Sequence, residues 1–199
     1  MPSRASAAPA PRLEIRLSGS GGQGLVLAST VLAEAAVATG REVVQTQSYG
    51  PEARGGASRA EVIISDEEID FPELVSPDIT VCLSQEAFDT FAAVTRDGGL
   101  VLYDEQLVVA KPVPGVRLVG VPLTSLAQQA AGTPLAANIV ALGVLEKLAA
   151  PVPVEALIES LRRRLPERLL QADLAALQVG LETGRRRRPR RAANPRRSP

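Results

Sequence analysis

Leu13-Glu14-Ile15-Arg16-Leu17 alternates apolar and polar side chains, and the alternation stops at Gly19-Ser20-Gly21-Gly22-Gln23-Gly24. A period of two that ends in glycines predicts a strand running into a tight turn. Positions 25–39 are rich in Ala, Leu and Val at helical spacing, with Gly40 as a C-cap, and a second strand begins at Val43 and Val44. Further strands are expected over 59–65, 78–83, 100–103 and 116–121, and a helix over 85–95 closed by Asp97-Gly98-Gly99. The apolar run at 78–83 has the character of a strand buried on both faces. Everything after the strand at 116–121 is helical in pattern: 123–131, 135–148, 154–165 and 167–181, with breaks at Gly132-Thr133-Pro134 and at prolines. Ala136, Ala137, Ala141 and Gly143 give one of these helices a surface fit for close packing. The order defines an α/β fold: a single Rossmann-like domain with a largely parallel sheet flanked by helices and a helical C-terminal third. The domain is expected to span 13–183, after a disordered leader over 1–12 and before a disordered Arg-rich tail over 184–199.

Composition narrows the chemistry. Aromatic residues make up 3% of the 199 positions and Trp is absent, so the core must be aliphatic. With no histidine, the commonest general base and metal ligand is missing. A single cysteine, Cys82, rules out an intrachain disulfide and a thiolate-held cluster within this chain. Cys82 sits in the apolar run of 79–83, which favours a buried structural thiol over a nucleophile and agrees with a cytoplasmic setting. No metal site is expected, and a Ser-His-Asp arrangement is impossible. The 22 basic and 22 acidic residues balance, yet eight arginines lie in 185–199, leaving 14 basic against 22 acidic groups before them, a net of −8. The Arg-rich run lacks interleaved aromatics for base stacking. It is expected to be a solvated extension, with docking onto an acidic partner or nucleic acid as the alternative.

The turn Gly19-x-Gly21-x-x-Gly24 matches the dinucleotide fingerprint in form, with a strand before it and a helix after it. Bare backbone at a helix N-terminus admits a phosphate or carboxylate; equally, the glycines could serve only close strand-to-helix packing. A nicotinamide site would also need an acid at the end of the second strand, where this chain has Gln45 and Gln47. The absence of a lysine after the turn excludes a P-loop. The segment Tyr49-Gly50-Pro51-Glu52-Ala53-Arg54-Gly55-Gly56 concentrates turn formers around a phenol, a carboxylate and a guanidinium. A loop there would emerge on the same sheet edge as the glycine turn, with Arg54 able to hold an anion or to brace the loop against Glu52. Asn138, inside an apolar helix, is either a packing hydrogen bond or a site contact, and Tyr103-Asp104 reads as an ordinary strand end.

These two loops together resemble the γ subunit, or equivalent domain, of the 2-oxoacid:ferredoxin oxidoreductase family (pyruvate, 2-oxoglutarate and ketoisovalerate types). The likeness continues through Ile64-Ser65-Asp66-Glu67-Glu68-Ile69, Pro77-Asp78, Leu83-Ser84-Gln85-Glu86-Ala87, Gly98-Gly99 and Ala137-Asn138-Ile139-Val140-Ala141-Leu142-Gly143, in order over about 13–182. Tyr-Gly-Pro-Glu is closer to the 2-oxoglutarate and pyruvate types than to the indolepyruvate type. The resemblance implies a γ subunit that is not catalytic alone, assisting oxidative decarboxylation of a 2-oxoacid to acyl-CoA with electrons passing to ferredoxin. Thiamine diphosphate, Mg2+ and iron–sulfur clusters then belong to the complex, not to this chain. Thiamine-binding subunits and an iron–sulfur subunit or ferredoxin are the implied partners, with neither membrane nor nucleic acid among them. It also implies that Gly19, Gly21, Gly22, Gln23, Gly24, Tyr49, Gly50, Pro51, Glu52, Arg54, Gly55, Gly56 and Asn138 face coenzyme A or a partner subunit. Thr133 departs from the family pattern, which often has Asn there. From the residues alone, a free-standing nucleotide- or anion-binding regulatory module is the alternative.

Overall fold

The computed structural model describes residues 12–48 and 57–187. Six strands form one sheet: β1 (Leu13–Gly19), β2 (Glu42–Ser48), β3 (Ser58–Ser65), β4 (Ile79–Cys82), β5 (Leu100–Asp104) and β6 (Arg117–Val121), in the order β2-β3-β1-β4-β5-β6. Strands β1, β4, β5 and β6 are parallel, whereas β3 lies antiparallel between β2 and β1. The sheet is therefore largely parallel, as the pattern predicts, with one reversed strand that the pattern does not predict. Alternation assigns faces, not direction. The short link between Ser48 and Ser58 is the physical reason for the reversal, since a parallel neighbour needs a crossover of a dozen or more residues.

One sheet face carries α1 (Leu25–Val37) and the C-terminal helices α3 (Leu123–Ala131), α4 (Ala137–Ala149), α5 (Val154–Arg164) and α6 (Glu167–Arg187); α2 (Gln85–Phe91) covers the other face. Ile15, Leu17, Val62, Ile64, Val81 and Leu102 meet the larger helical layer and form the main aliphatic core. The opposite face gathers Phe88, Phe91, Val101 and Cys82. Buried there as well is the Arg16–Glu61 pair, with Nε donating to the carboxylate over 2.7 Å and the guanidinium lying 5.0 Å from the Phe91 ring centre. Hydrogen bonding and the aromatic face offset the desolvation of that pair.

The C-terminal layer depends on backbone contact between α4 and α6. A Cβ on Gly143 would stand 2.4 Å from Leu177 O, and one on Gly180 would stand 2.2 Å from Val140 O. Helix α6 also runs farther than its apolar pattern indicates, through Arg187, so the first residues of the 184–199 tail are helical. Gly184 sits against Val144, and Arg187 O accepts from Arg117 Nη2 at 3.2 Å. Tertiary contact extends the helix beyond its last apolar residue. The expected helix over 85–95 ends at Phe91 and finishes as a 3-10 turn over Ala92–Val94.

Candidate ligand site at the glycine turn

The turn joins β1 to α1 at the carboxyl end of the parallel strands. Gly22 and Gly24 have φ of +84° and +69°, in the left-handed region that side chains with a Cβ rarely occupy. Gln23 folds back across the loop: its Oε1 accepts from Ser20 N at 2.6 Å, and its Nε2 donates to Leu83 O at 2.8 Å. The turn is thereby tied to the end of β4. A Cβ on Gly19 would stand 2.2 Å from the Gln23 Oε1, so the first glycine makes room for this brace.

Asn138 does the same from the other side. Its Nδ2 donates to Gly24 O at 2.7 Å and its Oδ1 accepts from Ile139 N at 2.8 Å. With 4% of its surface exposed, it is a packing residue that fixes the turn. A Cβ on Gly24 would lie 2.3 Å from that Nδ2. Gln23 and Asn138 thus position the turn, and Gly21 and Gly22 present open backbone, since a Cβ on either would meet nothing within 4 Å.

What this scaffold holds open is a cavity of about 280 Å³ lined by residues 20–26 and Ser58. Helix α1 meets it with an N-terminus that has no side-chain cap and no acid in its first turn. The first N–H groups of a helix have no intrahelical acceptor and carry partial positive charge, so an anion is the ligand this cup favours. The Gln45 side chain, standing where a nicotinamide site would have an acid, donates to Ser29 Oγ at 2.7 Å and Thr30 Oγ1 at 3.0 Å. It fastens β2 to α1.

Tyr49, Gly50, Pro51, Glu52, Arg54, Gly55 and Gly56 lie outside the described residues. The strands that carry them do not: Ser48 pairs with Arg59, and Ser58 stands opposite Gly19. The strand ends that flank residues 49–56 therefore lie at the sheet edge where β1 ends in the glycine turn.

Other candidates resolve into structural roles. Asp104 is fully buried and accepts from Thr124 N at 2.8 Å and Gln106 N at 3.1 Å, serving as a strand-end anchor for α3. Thr133 Oγ1 accepts from Leu135 N at 3.3 Å, so its side chain caps the short turn before α4. Burial pushes the Cys82 thiol up to about 12, and Ser18 Oγ donates to its sulfur at 3.7 Å. A groove of about 540 Å³ between α1, β2 and α5 contains Glu34, whose carboxylate is engaged by Ser160 and Arg164.

One residue near the turn carries no signal in the sequence. Asp173 projects from the amphipathic helix α6 into a cavity of about 270 Å³ that also touches Gly22, Gly24 and Asn138. Burial raises its carboxyl above the ordinary range. Among the described residues, no group of three Asp, Glu, Cys or His side chains is placed to hold a metal ion. No helix among them is long and apolar enough to cross a membrane.

The fold and site define an α/β module with an open, backbone-lined cup at the carboxyl ends of its parallel strands. A family model, pyruvate ferredoxin/flavodoxin oxidoreductase, matches residues 14–183. The chain belongs to this family, as a γ-type subunit of a 2-oxoacid:ferredoxin oxidoreductase. It is 46% identical over 177 residues to the 2-oxoglutarate synthase subunit KorC of Methanocaldococcus jannaschii, covering 87% of this chain and 95% of that one. It is 35% identical over 178 residues to the ketoisovalerate oxidoreductase subunit VorA of Methanothermobacter thermautotrophicus, covering 88% of this chain but 37% of that longer one. The crystal structure of a keto/oxoacid ferredoxin oxidoreductase γ subunit from Geobacter sulfurreducens superposes with a TM-score of 0.78 at 40% identity, covering 87% and 99% of the two chains.

Proposed function

We propose that this chain is the γ subunit of a 2-oxoglutarate-type oxidoreductase, and that its glycine turn and the 49–56 loop form the wall that accommodates coenzyme A. The observation that carries this reading is the uncapped N-terminus of α1 facing an open glycine cup that Gln23 and Asn138 hold rigid. Coenzyme A carries phosphate anions of the kind such a cup favours. Arg54, from the neighbouring loop, would add a bidentate contact to a phosphate. The choice of 2-oxoglutarate over other 2-oxoacids follows the similarity to KorC, which exceeds that to VorA.

The residues present do not fit an iron–sulfur cluster, because the chain's one cysteine is buried in the sheet. Thiamine diphosphate, Mg2+ and the clusters are assigned to partner chains of a cytoplasmic complex, where they supply the decarboxylation and electron transfer. This chain's part is to bind, orient and exclude water at the acyl-acceptor side of the site.

The test is co-expression with thiamine-binding and iron–sulfur partners, followed by 2-oxoacid-dependent viologen reduction with coenzyme A varied. Gly21→Val puts a side chain into open space at the cup without touching the chain's own packing. Arg54→Gln removes a charged contact of the sort that contributes about 1.5–3 kcal/mol. Each should raise the KM for coenzyme A by at least about tenfold, since about 1.4 kcal/mol is a factor of ten. An unchanged KM in both variants would remove the coenzyme A assignment. Equal turnover without this chain would remove the subunit assignment itself.

A further inference from the structure

The cavity that the glycine turn shares with α6 differs in its lining from the cup at the start of α1. Leu135, Leu165, Leu169 and Ala172 form much of its wall, and Asp173 supplies a carboxylate. That carboxylate has no hydrogen bond and no ion pair among the described residues. Leu135 and Leu169, which line it, are 65% and 45% exposed. A carboxylate in an apolar-walled recess is complementary to a cation that brings its own apolar cover.

We infer that this cavity is a docking socket for a basic side chain, an arginine or lysine flanked by apolar residues, presented by another subunit of the complex with Asp173 as its counter-ion. The inference rests on the reading of the chain as a γ-type subunit. An anionic ligand is disfavoured there by like charge, and a metal ion would need more oxygen ligands than one carboxylate supplies. Arg187, at the far end of α6, is fourteen residues beyond Asp173, about 21 Å along the helix axis, and is engaged by Glu105 and Arg117, so the described arginines of α6's last turn do not supply the counter-ion. An arginine or lysine stem laid along Leu135 and Leu169 buries methylene groups against leucine while its head reaches the carboxylate. Such a contact covers the exposed leucines and pairs the carboxylate in one step.

The experiment is a titration of full-length chain against the purified partner subunits by interferometry, with thermal melting of the chain alone in parallel. Asp173→Asn should weaken assembly at least tenfold, and Leu135→Gln should weaken it severalfold. Glu159→Gln, which removes the same charge from the exposed face of α5, should leave affinity unchanged. The melting point of Asp173→Asn alone should stay constant or rise, because the free chain loses an unpaired charge. Affinity that is unchanged or tighter in Asp173→Asn overturns the proposal. So does a lower melting point of that variant, which would reveal a counter-ion within the chain. Failure of the unaltered chain to bind any thiamine-binding partner would instead remove the γ-subunit reading, and the proposal with it.

Discussion

Gly24 and Asn138 account for each other across 114 positions of sequence. The carbonyl of Gly24 accepts both from Ala28 N, starting α1, and from the Asn138 side chain. Substitutions along the turn should therefore separate by mechanism. Gly21→Ala, with open space around its Cβ, should change stability by less than about 0.5 kcal/mol. Gly22→Ala, open but with φ of +84°, should lose about 1–2 kcal/mol. Gly24→Ala adds displacement of the Asn138 amide and should lose about 3 kcal/mol; urea denaturation of the three variants checks the order. Cys82 gives a second check at this scale. With its thiol raised to about 12 by burial, it should resist a disulfide reagent at pH 8 in the native chain and react at once in denaturant. The sequence marks the glycines and the buried thiol clearly, because glycine spacing and apolar runs are local signals. It does not say what Gln23 and Asn138 do. Their bonds to Leu83, Ser20 and Gly24 span up to 114 positions, and sequence alone carries no signal for such long-range partners.

Helix pairing supplies the next level. The small residues of α4 are legible as a close-packing surface, but not the partner, which is α6 through Gly180 and Gly184. Backbone-to-backbone contact of this kind leaves no side chain to move aside. Gly180→Ala, whose Cβ would fall 2.2 Å from Val140 O, should therefore lose about 3 kcal/mol and lower the melting point by roughly 10 °C, read by calorimetry. Helices α1 and α5 are joined differently, by Glu34. Arg164 Nε and Ser160 Oγ each donate to its carboxylate at 2.8 Å. The Arg164 hydrogen bond is the main cause that lowers the Glu34 carboxyl below its ordinary 4.5; burial opposes it and Ser160 assists. A lowered folded value means that the stabilisation is fully present above the unfolded value and disappears as pH falls through the folded one. The melting-point difference between the unaltered chain and Glu34→Gln should thus be constant above roughly pH 5 and vanish on acidification. Its size should be modest, because the pair is partly exposed.

At the scale of the whole chain, the sheet's strands were legible in number and nearly in position, while β3's direction was readable only from loop length. A turn of the chain between Ser48 and Ser58 leaves too little length for a crossover, and once that is applied, β3 must lie antiparallel to β2. The reversal also sets the strand ends: Ser48 and Ser58 both lie at the sheet edge where β1 ends in the glycine turn, whereas a crossover would have started β3 from the opposite edge. The tail illustrates the opposite difficulty. Charge composition separates 185–199 from the acidic body, but the boundary drawn by charge cuts through a helix, since Gly184 packs on Val144 and Arg187 lies 3.7 Å from Glu105. Two truncations distinguish charge from structure. A chain ending at Arg187 keeps both anchors while shedding five arginines, which takes the net charge from 0 to −5. It should melt within about 1 °C of the full chain and assemble with its partners equally well. A chain ending at Thr183 also loses the Gly184 contact and the Arg187 anchor, and should melt lower by roughly 3–8 °C, corresponding to about 1–2 kcal/mol. Equal melting of the two truncations would mean that the last turn of α6 contributes nothing; weaker assembly of the Arg187 truncation would show that the arginines beyond it contact a partner.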